Sequence, residues 1–410
     1  MRQVYLAATG QNRGKTTTSI GLLDGFLRRG LDTRFMKPVG QRTIIEDGVP
    51  ADEDAVLVRN VFGLTDPMTV MSPVHIPRGF TKAYINGEIV EDLGARIQAA
   101  HTAVSRDGEI LLIEGTGHAG VGAVIGLSNA TVAAMLGAPA IIVSEGGVGR
   151  PIDEIVLNAS HFASHGVRVA GAIVNKVDLD AQPGIVRTLE RGLAIHGISL
   201  LGVLPYRPIL SNPTLAMILE GVHGETVHPG PDLDRVIGGV AIGAMEPVHM
   251  LERINPGTLV IVPGDREDVI LTLTTAHLTG GLAVRGMRGP AAAAGDSSGA
   301  APGAGAATGA PGAEAAVGHS SRVAPGAGAA LGLVLTGGYR PRQAVLDAIR
   351  RANLFATIVP RDTYVVASEV HDLLVKTHSA DAGKIEMIKA LVWEHLKIDR
   401  ILEAAGSIPG

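Results

Sequence analysis

The chain has 410 residues, of which 46% are hydrophobic, 18% charged and only 3% aromatic, and its formal net charge is −5. It is long enough for two globular domains, and its charge gives no reason to expect nucleic acid or an acidic membrane as a partner. The absence of cysteine excludes disulfides, thiolate metal sites and cysteine nucleophiles. The first residues, MRQVYLAATG, indicate a strand and a loop rather than a signal peptide, so we expect a soluble cytoplasmic protein.

The first half of the chain alternates short apolar runs with amphipathic segments. Because the runs are apolar on both faces, they predict a mostly parallel sheet covered by helices on both sides, in an α/β fold. We assign this first domain to residues 1–222. The predicted strands are QVYLAAT, TRFMKPV, EILLIEG, PAIIVSE, RVAGAIVNKV and SLLGVLP.

A second, smaller α/β domain is predicted over residues 232–410. Its strand candidates are RVIGGVAIGA, GTLVIVPG, GLVLTGG and FATIVPRDT, with helices after Pro341 and across DAGKIEMIKALVWEHLKI. Residues 289–330 interrupt this domain and consist mostly of Ala, Gly and Pro, which offer little apolar surface to offset the entropy of ordering. We therefore predict a disordered insertion there.

The segment ATGQNRGKTT, directly after the first predicted strand, nearly matches the phosphate-binding loop G-x-x-x-x-G-K-[ST]. Thr9 replaces the first glycine. Gly14 would let the backbone approach phosphate, Lys15 would supply positive charge, and Thr16 would offer a hydroxyl to Mg²⁺. The alternative is a turn with a chance Lys-Thr pair. The predicted nucleotide contacts are Thr9, Gly10, Gly14, Lys15, Thr16 and Thr17.

Charged side chains follow other predicted strands. Glu114 ends EILLIEG, and Asp52 and Asp54 begin a helix after the second strand. Mg²⁺ prefers carboxylate oxygens beside phosphate and water, so these acids are candidate magnesium ligands. Lys37, near the end of the second strand, could hold a phosphate or an anionic substrate. The alternatives are a solvated strand end for Glu114 and Lys37, and acidic helix-start bias for the aspartates.

The segment NKVD follows the fifth predicted strand. Asn175 there could contact a purine base, and Asp178 could read guanine as in GTPases. Asn and Asp are also common in ordinary turns, so a structural role for both stays open.

Taken together and in this order, TGQNRGKTT, MKPVGQ, ADEDAVL, IEGTG, GAIVNKV and LLGVLP resemble the dethiobiotin synthetase-like branch of P-loop proteins. That family has a shifted glycine in its loop. The resemblance implies ATP·Mg²⁺ as cofactor, with the metal held by Thr16, Asp52 and Glu114. It also implies catalytic roles for Lys15 and Lys37 and an adenine contact for Asn175.

The segments LVIVPGDREDVILTLTTAHL and GLVLTGGYRP resemble the DRTGG domain, which follows a P-loop domain in the N-terminal part of long bacterial phosphotransacetylases. The resemblance implies a homodimer. It leaves no room for the acetyl-transfer domain within these residues. A small anionic metabolite could bind here on an anion nest of backbone amides, or the domain could only dock or dimerise. The motif residues are Asp265, Arg266, Thr336, Gly337 and Gly338.

The function expected from this resemblance is an ATP-binding protein whose DRTGG domain senses or docks a ligand in response to nucleotide. Whether it is an enzyme stays open, because an ATPase or an ATP-dependent ligase that activates a carboxylate or carbamate is the main alternative. The segment MSPVHIPRGFTKAYING does not align with the substrate contacts of dethiobiotin synthetases. A GTPase-like module is a third reading.

Overall fold

The computed structural model describes residues 1–279, 330–371, 373 and 377–408. They form two compact units. Unit 1 comprises Met1–Leu210 and Lys376–Gly410, and unit 2 comprises Ser211–Val375. The predicted insertion at residues 289–330 lies outside the described residues except for its last residue. Among the helices that the structure describes, none is long and apolar enough to span a membrane.

The elements are numbered in chain order. The strands are β1 (Arg2–Ala8), β2 (Thr33–Met36), β3 (Val39–Gly40), β4 (Thr43–Glu46), β5 (Val49–Asp52), β6 (Val74–His75), β7 (Ile110–Glu114), β8 (Ala140–Glu145), β9 (Val169–Val177), β10 (Leu200–Pro205), β11 (Glu225–His228), β12 (Gly239–Ile242), β13 (Thr258–Pro263), β14 (Gly332–Thr336), β15 (Phe355–Ile358) and β16 (Gly406–Ser407). The helices are α1 (Lys15–Arg28), α2 (Glu53–Phe62), α3 (Met68–Met71), α4 (Phe80–Ile85), α5 (Leu93–Val104), α6 (Asn129–Met135), α7 (Gly149–Ser164), α8 (Ile185–Ile195), α9 (Pro208–Ser211), α10 (Leu215–Val222), α11 (Pro247–Arg253), α12 (Glu267–Leu278), α13 (Gln343–Arg351), α14 (Thr363–His371), α15 (Ala382–His395) and α16 (Ile398–Ala404).

Unit 1 is built on a seven-stranded sheet in the order β10-β9-β8-β1-β7-β2, with β16 joined antiparallel to the start of β1. The strands of the main path are parallel. The predicted α/β fold with a mostly parallel sheet is therefore confirmed. Since β1 is central, the loop that follows it opens at the middle of the carboxyl edge, where such sheets bind ligands.

The sheet of unit 1 is covered on both faces. Its central strands are buried along nearly their whole length, which explains their runs of Val, Ile, Leu and Ala. One apolar cluster contains residues of α5, α6, α7 and α8, and the other contains residues of α1, α2, α3, α15 and α16.

The end of the chain belongs to unit 1. Helices α15 and α16 pack on α1, where two glycines permit a close approach: a Cβ on Gly21 would lie 2.2 Å from Val392 of α15, and one on Gly25 would lie 3.1 Å from Ile398 of α16. This differs from the predicted second domain at 232–410. The physical reason is that Val392, Ile398 and their apolar neighbours complete the cluster on the α1 face of the sheet.

Unit 2 is a five-stranded sheet in the order β11-β15-β14-β13-β12, parallel except for β11. Its four parallel strands are those expected from the sequence. Helices α11, α12 and α13 contribute to the apolar cluster on one face, and α10 and α14 contribute to the cluster on the other. Because α10 and β11 belong to it, unit 2 begins earlier than the predicted residue 232.

Candidate nucleotide site

The loop between β1 and α1 ends in a glycine with a positive φ. Gly14 stands at the N-cap of α1 with φ 89°, in the left-handed region that favours glycine. A Cβ at this position would lie 2.0 Å from Asn175 Nδ2, so no side chain fits there. Lys15 opens α1 and is 9% exposed, and burial lowers its pKa to about 8. The loop thus ends in a buried ammonium group at a helix N-terminus.

Side chains at the ends of β8 and β9 bind the loop through ion pairs and hydrogen bonds. Glu145 forms ion pairs with Arg13 and with Lys176, the latter at 2.9 Å. Lys176 Nζ also donates to the carbonyl oxygen of Asn12 at 3.1 Å. Asn175 Nδ2 donates to the carbonyl oxygen of Arg13 at 3.1 Å. Asn175 therefore lies directly against the loop, as part of its support, and its contact with a base stays a prediction.

The remaining loop residues have different surroundings. The hydroxyl of Thr9 lies 3.1 Å from the Ser144 hydroxyl at the end of β8. A Cβ added at Gly10 would lie 3.3 Å from Arg13 Nε. Thr17 is half-buried in the first turn of α1. Their contacts with nucleotide stay predictions.

Lys37, directly after β2, is the centre of a buried charge cluster. It is 5% exposed, and its Nζ forms ion pairs with Asp52 at 3.1 Å, with Glu114 at 3.3 Å and with Asp54. Burial alone would lower the pKa of Lys37, but Glu114, Asp54 and Asp52 outweigh burial and hold it well above its usual value. Lys37 is therefore a fixed positive charge.

Glu114, the last residue of β7, is completely buried and is the member of this cluster that the main sheet contributes. Its Oε1 lies 3.3 Å from both Thr16 Oγ1 and Lys37 Nζ, and its Oε2 accepts a hydrogen bond of 2.5 Å from the Ser19 hydroxyl. Burial raises the pKa of Glu114, against the lowering effect of Lys37. The structure thus brings together Thr16, Lys37 and Glu114 as expected.

The two aspartates of the cluster differ in their surroundings. Asp52 caps α2, and its carboxylate accepts backbone N–H groups of Asp54 at 3.0 Å, Gln41 at 3.1 Å and Arg42 at 3.3 Å. Asp54 also pairs with Lys37, as Asp52 does, but in addition it lies beside the Thr16 hydroxyl. Burial would raise the pKa of Asp54, but Lys37 outweighs burial and the net shift is downward. Asp52 therefore shapes the backbone, while Asp54 shares the surroundings of Thr16.

Among the described residues, no group of three His, Cys, Asp or Glu side chains is arranged to hold a metal by itself. The oxygens of Thr16, Asp54 and Glu114 fit Mg²⁺ chemically, because Mg²⁺ is usually bound by one or two carboxylates together with phosphate oxygens and water. The metal role expected for Thr16, Asp52 and Glu114 stays a prediction.

Two residues near the cluster were not identified from the sequence. One is Ser19. The other is Asn129, whose Oδ1 accepts from Tyr5 OH at 2.8 Å and Thr116 N at 3.0 Å, and whose Nδ2 donates at 2.7 Å to the carbonyl oxygens of both Thr116 and His118. Asn129 thereby fixes the loop after Glu114. No motif spacing connects either residue to its partner.

In unit 2 the DRTGG motif residues meet at the carboxyl ends of the adjacent strands β13 and β14. An anion nest was one hypothesis for this motif, but the two backbone amides that would form it already donate to other acceptors. Gly337 N donates to Arg361 O at 2.8 Å and Gly338 N donates to Val359 O at 3.0 Å, since the loop after β15 pairs with them. The ligand roles of these residues stay predictions.

The other DRTGG residues are also held by neighbours. The Arg266 guanidinium donates to the Asp268 carboxylate at 3.0 and 3.1 Å and to the carbonyl oxygen of Met245 at 3.0 Å. Asp265 is exposed. The Thr336 hydroxyl lies 2.7 Å from that of Thr363.

Comparison with known families finds a match for each of two parts of the chain. The family described as an AAA domain matches residues 2–214, just over half of the chain. The chain belongs to the AAA domain family. A second match, the DRTGG domain, covers residues 217–290 of this AAA domain protein. The expected combination of a P-loop domain with a DRTGG domain is therefore confirmed.

Phosphate acetyltransferases are among the relatives of this AAA domain protein. Those of Deinococcus radiodurans and Pseudomonas putida are each 28% identical to it, over 290 and 296 residues. Each match covers 68% of this chain but only 40% of the relative. The expected similarity to phosphotransacetylases is thus confirmed for a part of those proteins.

Among solved structures, the septum site-determining protein MinD of Pyrococcus horikoshii, complexed with Mg-ADP, is similar with a TM-score of 0.32 and 14% identity. The likeness covers 51% of this chain and 83% of MinD. A TM-score this low carries no argument about this chain.

Proposed function

We propose that the chain binds ATP with Mg²⁺ at the loop before α1, and that the DRTGG domain senses or docks a ligand in response. The proposed binding of ATP with Mg²⁺ rests on one observation. Two buried ammonium groups, Lys15 and Lys37, lie with Thr16, Asp54 and Glu114 at the carboxyl ends of β1, β2 and β7.

In this proposal Lys15 binds the β- and γ-phosphates, supported by the N-terminus of α1. Thr16, Asp54 and Glu114 hold Mg²⁺, which neutralises phosphate charge. Asp54 replaces Asp52, to which the family resemblance assigned the metal role, because the oxygens of Asp52 already accept three backbone N–H groups. Asn175 reaches the base from beside the loop, and we propose adenine as that base.

The second candidate function is an ATP-dependent synthetase. The position of Lys37 favours it, because an ammonium group between Asp54 and Glu114 could neutralise a phosphoryl group in transfer. Acetyl transfer is not proposed, since the matches span about 40% of the relatives' length.

A single assay separates these functions. ATP binding and ADP release are measured on the full chain with Mg²⁺, alone and with a panel of amines and carboxylates plus bicarbonate. Lys15→Ala is the control, and GTP is tested beside ATP with the Asp178→Ala variant. Saturable ATP binding without stimulated turnover supports sensing, whereas turnover stimulated by one compound and lost in Lys15→Ala supports a synthetase.

The same assay can refute the proposal. No saturable binding at millimolar ATP contradicts it altogether. A preference for GTP that disappears in Asp178→Ala would support the GTPase-like reading instead. Light scattering of the full chain with and without ATP tests the homodimer that the resemblance implies.

A further inference from the structure

The two carboxylate oxygens of Glu114 have different partners. Oε1 faces the Thr16 hydroxyl and the Lys37 ammonium, each at 3.3 Å. Oε2 points the other way and accepts the Ser19 hydroxyl at 2.5 Å. A carboxylate held at one oxygen cannot rotate freely, so the direction of Oε1 is set by the bond at Oε2.

Ser19 is connected to the candidate nucleotide site through Glu114 and not through the protein surface. Its exposed fraction is 0%, so it cannot touch a ligand in this conformation. It follows Thr16 by three residues in α1, which places both hydroxyls on the same face of that helix. The helix that begins with Lys15 therefore reaches Glu114 through two hydroxyl groups, one at each oxygen.

We propose that Ser19 is a positioning residue, which holds Oε2 of Glu114 so that Oε1 is directed at the divalent cation of a bound nucleotide. This inference rests on the proposed ATP·Mg²⁺ function. It assigns to Ser19 a role that acts through Glu114 and depends on the metal. Without Ser19, Glu114 keeps its charge and its contacts at Oε1 but loses the hydrogen bond that fixes Oε2.

A purely structural role makes a different prediction. If Ser19 only packs α1 against β7, its loss weakens nucleotide binding equally with and without metal. Thr18 offers a matched control, because it is the preceding residue of α1, is equally buried and donates its hydroxyl to Gly14 O at 2.9 Å. Thr18→Val removes a buried hydroxyl from the same helix turn without touching Glu114.

The test measures ATP dissociation constants of the full chain by calorimetry, once with Mg²⁺ and once with EDTA. The variants are Ser19→Ala, Thr18→Val, Glu114→Ala and the double variant Ser19→Ala/Glu114→Ala. We expect Ser19→Ala to reduce the gain in affinity from Mg²⁺ about tenfold, which corresponds to about 1.4 kcal/mol, with affinity in EDTA unchanged within about twofold. Thr18→Val should leave the gain from Mg²⁺ unchanged.

The double variant decides whether Ser19 acts through Glu114. We expect it to match Glu114→Ala alone. A full additional effect of Ser19→Ala in that background, or an equal loss with and without Mg²⁺, would overturn the proposal. If Ser19→Ala does not fold, Ser19→Cys keeps the volume with a weak donor and should show a smaller loss in the same direction.

The outcomes also separate this inference from the proposed function. If the unmodified chain binds no ATP, or gains nothing from Mg²⁺, both fail. If its binding depends on Mg²⁺ and Ser19→Ala leaves that dependence intact, only the role of Ser19 fails.

Discussion

Replacing Lys37 by methionine should strongly destabilise unit 1. The side chain is 5% exposed and its ammonium is the shared partner of three carboxylates, two of them at 3.1 and 3.3 Å. Removing one partner of a buried ion pair typically costs about 3–5 kcal/mol, because the remaining charge stays buried without compensation. We expect a loss in this range at pH 7, or larger, since more than one carboxylate loses its partner.

Urea unfolding followed by tryptophan fluorescence measures this loss in unit 1. Trp393 is the only tryptophan, and its ring centroid lies 5.2 Å from the Arg28 guanidinium carbon and 4.9 Å from that of Arg29. Its emission therefore reports the packing of α15 on α1. Lys82→Met, at an exposed lysine of α4, is the matched control and should change stability by less than about 0.5 kcal/mol.

The loss should also depend on pH in a defined direction. With Lys37 present, the pKa of Asp54 is lowered, because Lys37 outweighs burial. Asp54 then contributes stability above its unfolded pKa of about 3.9, and this contribution disappears as the pH falls through the lowered value. In Lys37→Met, Lys37 no longer opposes the effect of burial on Asp54 and Glu114, so both pKa values rise and these carboxylates take up protons at a higher pH than in the unmodified protein. The difference between the proteins should therefore shrink from pH 7 towards pH 4. A loss below about 0.5 kcal/mol at pH 7, or one that grows in acid, would refute the reasoning.

Three further predictions concern the loop and the end of the chain. Because burial lowers the pKa of Lys15 to about 8, the ammonium loses its proton as the pH rises through that value, so ATP affinity by calorimetry should fall between pH 7 and 9. Lys15→Arg should remove this pH dependence, and a persistent fall would contradict the assignment. Gly14→Ala should weaken ATP binding at least about tenfold, since its Cβ would meet Asn175, whereas Gly30 also has a positive φ (74° against 89°) but open space around it, so Gly30→Ala should leave the affinity unchanged. Removal of residues 377–410 should expose apolar residues that α15 and α16 now bury on the α1 face and make the chain aggregate, and a soluble truncated chain with unchanged melting by circular dichroism would show the opposite.

The sheet of unit 1 was predictable because its strands are buried on both faces. A run such as ILLIE indicates that burial directly, and parallel strands bring their carboxyl ends to one edge. The placement of Lys37 and Glu114 at the same edge of the sheet as the loop therefore followed from the parallel arrangement, whereas the order of the strands did not. What the sequence could not distinguish was Asp52 from Asp54, since the backbone amides that surround Asp52 come from a turn formed only in the fold.

Other features depend on tertiary packing and leave no local pattern. Ser19 is one of several hydroxyl residues in KTTTS, and only the position of β7 selects it for Glu114. The apolar face of α15 predicts a buried helix but does not say which unit buries it. Similarly, Gly337 and Gly338 resemble an anion nest until the loop after β15 is placed beside them.

The order of elements has a consequence for folding during synthesis. Domains usually fold from the N-terminus as the chain emerges from the ribosome. Here the sheet of unit 1 emerges first, yet α15 and α16, which complete the apolar cluster on one of its faces, are made only after unit 2. We therefore expect unit 2 to fold while unit 1 is still incomplete, with apolar surface of α1, such as Ile20, still lacking the α15 residues Ile385 and Ile388 that pack with it. The growing chain therefore exposes part of the apolar surface of unit 1 until residues 377–410 have been made.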